Sequence, residues 1–428
     1  MSSESMSMQE PEHQRDNNPW GESPVVVRNP TDLEVEKAAL VASKAFPNLP
    51  LEHWQKSFHD IAETFGTAFV LIAELDGEIV SSLLCCPAPV HVGGELVPHS
   101  SVGAVGTHPD YRHKGCAGAL MAQCAKLLRK EGIYISSLWP FSYEYYRKFG
   151  WEVGAEVREY TAAGEFFAGL GDANRVRAAA ESDLGEIKSI YPDFARRYSG
   201  PTQRSDQWWT RIARIGDYLN PVGQPQRGSV VHVTNNEVDA YAAYLIEPRD
   251  EKTAVSVREM VFFEASHRRD MLAFVGGIDP EARMSFGAPD NDIFLHELAN
   301  PRAVEARVQP AFQFRVVDPE RAIESLRVDA DVSGRLTFSI SDPVFEHGFE
   351  FGIEIDNGGI SLCKPDSSRA IRTDVQTLAK MYSGYLTAYD AWSLGNVSVP
   401  GDKAAGILEL ACRVFPALRP YRSWLEPG

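Results

Sequence analysis

Residues 105–128, VGTHPDYRHKGCAGALMAQCAKLL, constrain the fold of this chain more than any other segment. A small apolar run predicts a strand, which ends at Pro109 because proline has no backbone donor for a neighbouring strand. A basic loop follows, and apolar residues then recur at helical spacing from Leu120 onward. The segment therefore predicts a strand, a loop and a helix over about residues 114–130.

The loop has the composition of an anion-binding site. Gly115 permits close approach of a ligand to the backbone, and Ala117 and Gly118 keep the surface bare. The first-turn amides of the helix carry a partial positive charge that suits a pyrophosphate, and Arg112 and Lys114 add charge beside it. A basic helix start with a tightly packed glycine is the alternative, because short motifs often occur by chance.

The whole chain alternates strand patterns with helical patterns, which predicts an α+β fold. Hairpins are expected at the turn dipeptides Asp76-Gly77, Gly93-Gly94 and Asn357-Gly358. The element order of the first unit returns in a second unit, but in its segment ASHRRDMLAFVG no glycine follows the basic residues. The second unit is thus expected to have the same order of elements as the first unit but to lack its basic, glycine-containing loop. A third unit opens with a strand and a helix in QFRVVDPERAIESL. The predicted ranges are 1–24 (a polar, disordered tail), 25–160, 161–310 and 311–428.

Charge and cysteine content narrow the class of ligand and the compartment. The 428 residues carry a formal net charge of −17, which repels nucleic acid and anionic lipid and suits a cationic small molecule better. No apolar run is long enough to span a bilayer, so no membrane partner is expected. The six cysteines form no CxxC pair. We therefore expect a reduced, cytoplasmic protein, with Cys85 and Cys86 as buried core thiols.

Other candidate sites have weaker signals. His91, His99 and His108 lack metal-ligand spacing and are expected in loops. His296-Glu297 lacks the second histidine of a zinc-protease motif, so no metal is expected. A group of aromatic residues at helical spacing could line an apolar tunnel, although core packing is the expected use: Tyr382, Tyr385, Tyr389 and Trp392.

Two motifs together point to a family. Arg112-x-x-Gly115-x-Ala117 resembles the pyrophosphate loop of the GCN5-related N-acetyltransferases (GNAT), and residues 146–151, YRKFGW, resemble their second conserved box. The chain from about 25 to 425 further resembles the Eis (enhanced intracellular survival) branch. That branch has an acetyltransferase domain, a degenerate second one and a sterol-carrier-like domain, to which residues 373–386 are similar.

The resemblance implies acetyl-CoA as co-substrate and assigns residues to it. Tyr146 matches the tyrosine taken as general acid, and the base would be the terminal carboxylate, here that of Gly428. Because this chain ends in Pro-Gly, and the branch tends to end in an aromatic residue, a frayed or trimmed terminus is the alternative. The residues implied for acetyl-CoA are Val105, Gly106, Thr107, Arg112, His113, Lys114, Gly115, Cys116, Ala117, Gly118, Phe141 and Ser142.

The resemblance also implies the reaction. We expect acetyl transfer to a primary amine of a cationic acceptor, which could be aminoglycoside-like, polyamine-like or a lysine. Trp54, Phe58 and the C-terminal tail would wall the acceptor pocket, with Glu426 adding negative charge. A cytoplasmic homohexamer is expected. The alternatives are a carrier of apolar ligands with a non-catalytic acetyltransferase scaffold, and a degenerate acetyl-CoA sensor.

Overall fold

A computed structural model describes residues 25–212, 215–219, 226–249, 252–401 and 404–426. The predicted tail, residues 1–24, and the predicted base, Gly428, lie outside the described residues.

The first part of the chain follows the local signals closely. Thr31 and Glu34 form a capping box ahead of the first helix, and Asp76 and Gly77 take positive φ angles of 54° and 82° in a tight hairpin turn. Its elements are β1 (Val26–Arg28), α1 (Val35–Ala45), α2 (Leu51–Phe65), β2 (Val70–Leu75), β3 (Glu78–Pro87), β4 (Val90–Val92), β5 (Glu95–Val97), β6 (His99–Thr107), α3 (Cys116–Lys130), β7 (Ile135–Leu138), α4 (Tyr143–Arg147) and β8 (Glu152–Val153).

The second part repeats this order of hairpin, strand and helix. Asn235 and Asn236 form the hairpin turn at φ angles of 54° and 67°. Its elements are β9 (Glu156–Ala163), α5 (Gly164–Ala168), β10 (Val176–Ala178), α6 (Leu184–Ala195), α7 (Gly216–Leu219), β11 (Arg227–Thr234), β12 (Glu237–Arg249), β13 (Lys252–Val261), α8 (Ala265–Gly276), β14 (Arg283–Pro289) and β15 (Glu305–Pro310).

The third part covers one face of a small sheet with helices. Its elements are β16 (Gln313–Val316), α9 (Pro319–Glu324), β17 (Gly334–Ser341), β18 (Phe349–Asp356), β19 (Gly359–Cys363), β20 (Ile371–Asp374), α10 (Val375–Ser383), α11 (Ala388–Ser393) and α12 (Ala404–Val414).

The segment that contains Tyr382 and Trp392 forms two helices, α10 and α11, where the sequence indicates one helical pattern. The first of them ends because Gly384 takes a left-handed φ of 79°. Tyr382 is buried in the core as expected. Tyr389 and Trp392, by contrast, are 58% and 42% exposed and pack on each other at the surface, so neither the core nor a tunnel accounts for them.

Two seven-stranded sheets exchange strands across the predicted unit boundaries. Their orders are β1-β2-β3-β6-β7-β16-β8 and β10-β11-β12-β13-β14-β9-β15, beside a four-stranded sheet β19-β18-β17-β20. The strand assigned to the third unit, β16, therefore belongs to the first sheet, and the boundary after residue 160 falls inside β9 of the second. β16 is buried along its whole length between β7 and β8, a central position that its apolar pattern alone does not reveal.

Within the described part of the chain, no helix combines the length and the apolar character required to cross a bilayer.

Candidate active site

Strand β6 separates from β7 in the middle of the first sheet. It pairs with β7 only over His99–Ser101, whereas its pairing with β3 continues to Thr107. One extra residue bulges out of β6 opposite β3, and Ala104 takes a positive φ of 53° there. The edge of β6 that faces away from β3 therefore opens beyond Ser101.

A cavity of about 640 Å³ lies at this opening and gathers most of the predicted cofactor residues. The exceptions are Lys114, whose ammonium lies 4.8 Å from the centre of the Tyr111 ring, and Ser142, whose hydroxyl accepts a hydrogen bond from the Tyr145 amide. Ser142 thus caps α4 instead of lining the cavity. The predicted residues that line it are Val105, Gly106, Thr107, Arg112, His113, Gly115, Cys116, Ala117, Gly118 and Phe141.

The loop before α3 is shaped by two left-handed residues. His113 and Gly115 have φ angles of 64° and 83°, and α3 begins at Cys116 because the preceding glycine is not helical. Alternating conformations of this kind turn successive backbone amides toward one side and form an anion-binding concavity. A Cβ added at Gly118 would lie 3.4 Å from Phe149, in ordinary van der Waals contact, so the residues of the YRKFGW box pack directly on the first turn of α3.

Sequence reasoning missed several residues of the cavity wall. Ala45 and Phe46 at the end of α1 reach it, because Gly106 allows a close approach: a Cβ there would lie 2.8 Å from the Ala45 Cβ. No local pattern could show this contact between distant segments. The other missed residues are Tyr111, Tyr145, Lys148 and Phe149, of which the last two lie in the quoted YRKFGW box.

Tyr146 lies behind the cavity wall. It is buried, and its ring packs edge-to-face against Phe141 at 5.2 Å and Tyr145 at 5.3 Å. Burial raises the pKa of Tyr146 well above its usual value, so the phenol is protonated at neutral pH. Its neighbour Tyr145 lines the cavity directly, and burial raises the pKa of Tyr145 to about 12.

A second cavity, of about 370 Å³, is lined by the part of β6 that directly precedes the residues of the first cavity. Ala104 lines this cavity, and the next residue, Val105, lines the first. Trp54 forms part of its wall as predicted, whereas Phe58 is completely buried in the core and does not. Its lining also includes two carboxylates, two aromatic residues from other segments and the last apolar side chain of the tail: Asp60, Asp217, Tyr218, Trp424 and Leu425.

The C-terminal tail is anchored by a buried charge network. The Glu426 carboxylate accepts hydrogen bonds from Thr202 Oγ1 at 2.6 Å, Arg204 at 2.8 Å and the Tyr191 hydroxyl at 2.9 Å. Burial alone would raise the pKa of Glu426, but the charges of Arg204 and Arg422 hold it below its usual value. The expectation that Glu426 offers charge to an acceptor is wrong, because this carboxylate is buried and already neutralised.

The expectation that the histidines lie in loops is wrong for His91 and His99. His99 lies in β6 and His91 in β4, and both are buried instead of exposed in loops. His99 contacts the Ala88 carbonyl at 3.0 Å and Ser137 Oγ at 2.8 Å, and burial lowers its pKa well below the usual value, so it is neutral. Cys85 and Cys86 are buried, as expected.

Three domain families match the chain in the predicted order. Residues 26–154 and residues 200–316 each match an acetyltransferase (GNAT) domain, and residues 319–423 match a sterol carrier protein domain. The chain is 23% identical over 341 residues to an uncharacterized N-acetyltransferase of Streptomyces avermitilis, which covers 75% of this chain and 80% of that protein.

Solved structures share the architecture. A GCN5-related N-acetyltransferase from Anabaena variabilis superposes with a TM-score of 0.78 at 16% identity, over 92% of this chain and 98% of that one. Eis1 from Mycobacterium abscessus superposes with a TM-score of 0.72 at 20% identity, over 94% of this chain and 100% of that one. At these identities the likeness establishes the fold. The chain is therefore an acetyltransferase with two domains of the GCN5-related N-acetyltransferase superfamily and a C-terminal sterol carrier protein domain.

Proposed function

We propose that the first domain transfers the acetyl group of acetyl-CoA to a primary amine of a cationic acceptor. The observation that carries this proposal is the meeting of two cavities at consecutive residues of β6, Ala104 and Val105. Acetyl-CoA would enter from the side of Val105 and the amine from the side of Ala104. The amine nitrogen attacks the acetyl carbonyl carbon, and the carbon–sulfur bond breaks. A base must accept the proton that leaves the amine, and an acid must protonate the departing CoA thiolate.

The loop before α3 supports pyrophosphate binding by the first domain. His113 and Gly115 bend the backbone toward the cavity, the 15-residue helix α3 begins directly behind them, and Arg112 adds a positive charge. The corresponding helix of the second domain, α8, starts after Glu264 in extended backbone, and none of the described residues 252–276 has a positive φ. We therefore expect one acetyl-CoA per chain.

A tyrosine at this site would protonate the departing thiolate. Tyr146 carries the proton at neutral pH, because even the usual pKa of a tyrosine, about 10, is well above 7 and burial raises that of Tyr146 further. Tyr145 is the nearer alternative, since its side chain lines the cavity. Because the two rings are neighbours, separate substitution is needed to distinguish them.

The second cavity supports a cationic acceptor. Asp60 supplies a carboxylate from α2. Asp217 also lines the cavity, together with two arginines that are paired with carboxylates, Arg227 with Asp217 at 3.4 Å and Arg211 with Glu63 at 2.6 Å. The Asp60 carboxylate and the formal net charge of −17 of the whole chain are the features that favour a cation here.

The chain terminus is our candidate for the base. Leu425 lines the second cavity and Glu426 is fixed in the buried network. Two further residues span at most about 7 Å, and we propose that the terminal carboxylate on Gly428 accepts the amine proton. A cytoplasmic location and a hexameric assembly are further predictions of the resemblance to the Eis branch.

An acceptor screen that follows CoA release tests the function. The panel contains an aminoglycoside, spermidine, a lysine peptide and, as a matched control, the same polyamine with its primary amines acetylated. We expect CoA release that requires a free primary amine, together with calorimetric binding of one CoA per chain. Absence of release with every amine while CoA still binds would favour the sensor alternative. Two CoA per chain would contradict a degenerate second domain.

A further inference from the structure

The second acetyltransferase domain contains a cluster of metal-ligating side chains away from both cavities. His232 lies on β11, Asp239 on β12 and His267 in the first turn of α8. One candidate ligand atom from each of the three residues lies within 4.8 Å of the others. The side chain of His232 is 1% exposed, that of His267 is 11% exposed and that of Asp239 is 28% exposed, so the cluster is reached from the Asp239 side.

Asp270 fixes the orientation of His232 from behind. Its Oδ2 lies 3.2 Å from His232 Nε2, and its Oδ1 accepts a hydrogen bond from the Asp172 amide at 2.8 Å. A histidine that donates one ring nitrogen to a carboxylate presents the lone pair of the other nitrogen, which is the usual arrangement behind a metal-bound histidine. Here the other nitrogen, Nδ1, lies 2.6 Å from Asp239 Oδ1.

The Asp239 carboxylate lies between two imidazoles. One oxygen faces His232 Nδ1, and the other lies 3.7 Å from His267 Nε2. The two rings stack with centroids 4.6 Å apart, and His267 Nδ1 is buried without a hydrogen-bond partner. At 2.6 Å the contact between His232 Nδ1 and Asp239 is a hydrogen bond when Nδ1 carries the proton, and a bound metal ion would replace that proton.

The first domain shows that the fold does not need this cluster. His232 lies three residues before the turn at 235–236, and Asp239 lies three residues after it. The residues at the same distances from the turn at 76–77 in the first domain are Ala73 and Val80, which are buried and apolar. Replacing such a pair with an imidazole and a carboxylate costs free energy unless the polar atoms gain partners. His232 and Asp239 meet this requirement partly through their contact with each other, and the first domain shows that the fold forms without a polar cluster at these positions.

We propose that His232, Asp239 and His267 bind a divalent transition-metal cation of the Zn²⁺, Co²⁺ or Ni²⁺ class. Imidazole and carboxylate together suit these ions, and three protein ligands leave a fourth position for water or an outside group. Tetrahedral ligand atoms at about 2.0–2.1 Å from Zn²⁺ lie about 3.3 Å apart. The His232–Asp239 contact would open slightly and the His267–Asp239 contact would close.

Titration of the full, untagged chain with Zn²⁺ alone tests the site. After chelator treatment and dialysis, calorimetry should show one site per chain, and Co²⁺ should give the visible absorption of a tetrahedral complex. Asp239→Asn and His267→Gln should each weaken Zn²⁺ binding by at least about 100-fold. Asp270→Asn should weaken it by about 10–100-fold, because His232 loses the carboxylate that orients its ring. The matched control is His59→Gln, which removes an exposed histidine paired with Glu36 at 3.3 Å and should bind like wild type.

Thermal unfolding in the presence and absence of Zn²⁺ separates binding from folding. The midpoint of the wild type should rise with Zn²⁺, and that of each folded ligand variant should not. If Asp239→Asn does not fold, His267→Gln, at a partly accessible side chain, provides the same comparison. A wild type that binds no Zn²⁺ overturns the proposal and leaves His232 as a hydrogen-bonded bridge between Asp239 and Asp270. Variants that bind like wild type also overturn it.

Discussion

The guanidinium of Arg422 donates a hydrogen bond to Ser101 Oγ over 3.0 Å and another to Ser137 Oγ. Ser101 of β6 and Ser137 of β7 are the last residues through which these two strands pair with each other. A residue of the C-terminal tail therefore joins the two strands at the point where they separate. Arg422 is itself buried and lies 3.6 Å from Glu426, so the tail network and the opening in the first sheet form one structural unit.

Removing the hydrogen bonds of Arg422 should lower both the stability of the fold and the rate of acetyl transfer. Arg422→Met leaves buried hydroxyls and part of the Glu426 charge without a partner, so we expect the free energy of unfolding to fall by about 3–5 kcal/mol. The kcat should fall more than the affinity for CoA changes, because the displaced tail forms part of the acceptor side. Urea unfolding and steady-state kinetics measure these effects. Arg419→Met, at an exposed arginine of the same tail, is the control. Equal effects of the two substitutions would contradict this role.

Gly115→Val should weaken CoA binding by at least about tenfold. A β-branched residue is strained at a φ of 83°, and its side chain would occupy the anion-binding loop. Gly132→Val is the matched control, because Gly132 also has a positive φ, 72°, but lies beyond the far end of α3 with no atom near its Cβ position. Calorimetric titration with CoA should show loss of affinity only for Gly115→Val. Unchanged CoA affinity in that variant would contradict the proposal that this loop binds the pyrophosphate.

Tyr146→Phe should lower kcat by about 10²–10⁴-fold with little change in the KM for acetyl-CoA, because the lost proton matters only as the thiolate leaves. Since burial raises the pKa of this phenol, the protonated, active form is lost only when pH rises above its raised pKa. The kcat should therefore show no loss of this acid up to about pH 10, the usual pKa of tyrosine. Tyr145→Phe is the paired variant, and a large effect there with wild-type kcat in Tyr146→Phe would transfer the role to Tyr145.

Adding two alanines after Gly428 should abolish turnover while CoA affinity and the thermal midpoint stay near wild type. The addition moves the terminal carboxylate without changing any side chain of the anchored tail. Gly428→Ala keeps the carboxylate at the same chain position and serves as the control. Normal acetylation by the extended chain would show that the terminal carboxylate is not the base.

The Glu426 network should make stability depend on pH in a defined direction. The folded-state pKa of Glu426 is lowered, so its ionised form stabilises the fold above the unfolded pKa of about 4.3, and this contribution is lost as pH falls through the folded value. The difference in unfolding free energy between wild type and Glu426→Gln should be large at pH 7 and shrink toward pH 3. Glu409→Gln, at an exposed position, should show no such trend. A difference that grows on acidification would contradict this account.

Local chemistry predicted much of the fold and most of the residues that line the first cavity. The turn dipeptides, the capping box at Thr31 and the glycine loop around Gly115 act over a few residues, and the structure has them where the sequence indicates. Contacts between distant segments were not predictable in the same way. The burial of Glu426 and the approach of α1 to Gly106 depend on packing between elements that no short pattern relates.

The same limit explains the histidines and the exchanged strand. His232, Asp239 and His267 come from three elements, so their spacing along the chain does not resemble a metal motif. A strand pattern at β16 predicts extended backbone, but it does not indicate which sheet edge the strand will join.

The position of β16 sets the order in which this protein can be completed during translation. The first sheet needs residues 313–316 beside β7, so its last central strand leaves the ribosome only after the entire second sheet has been synthesised. Until then the edge of β7 is unpaired, and such edges promote aggregation of nascent chains. A gene fragment that stops near residue 160 would encode the cofactor loop without the strand that closes its sheet. The first acetyltransferase domain therefore cannot be separated at residue 160 without losing a strand of its own sheet.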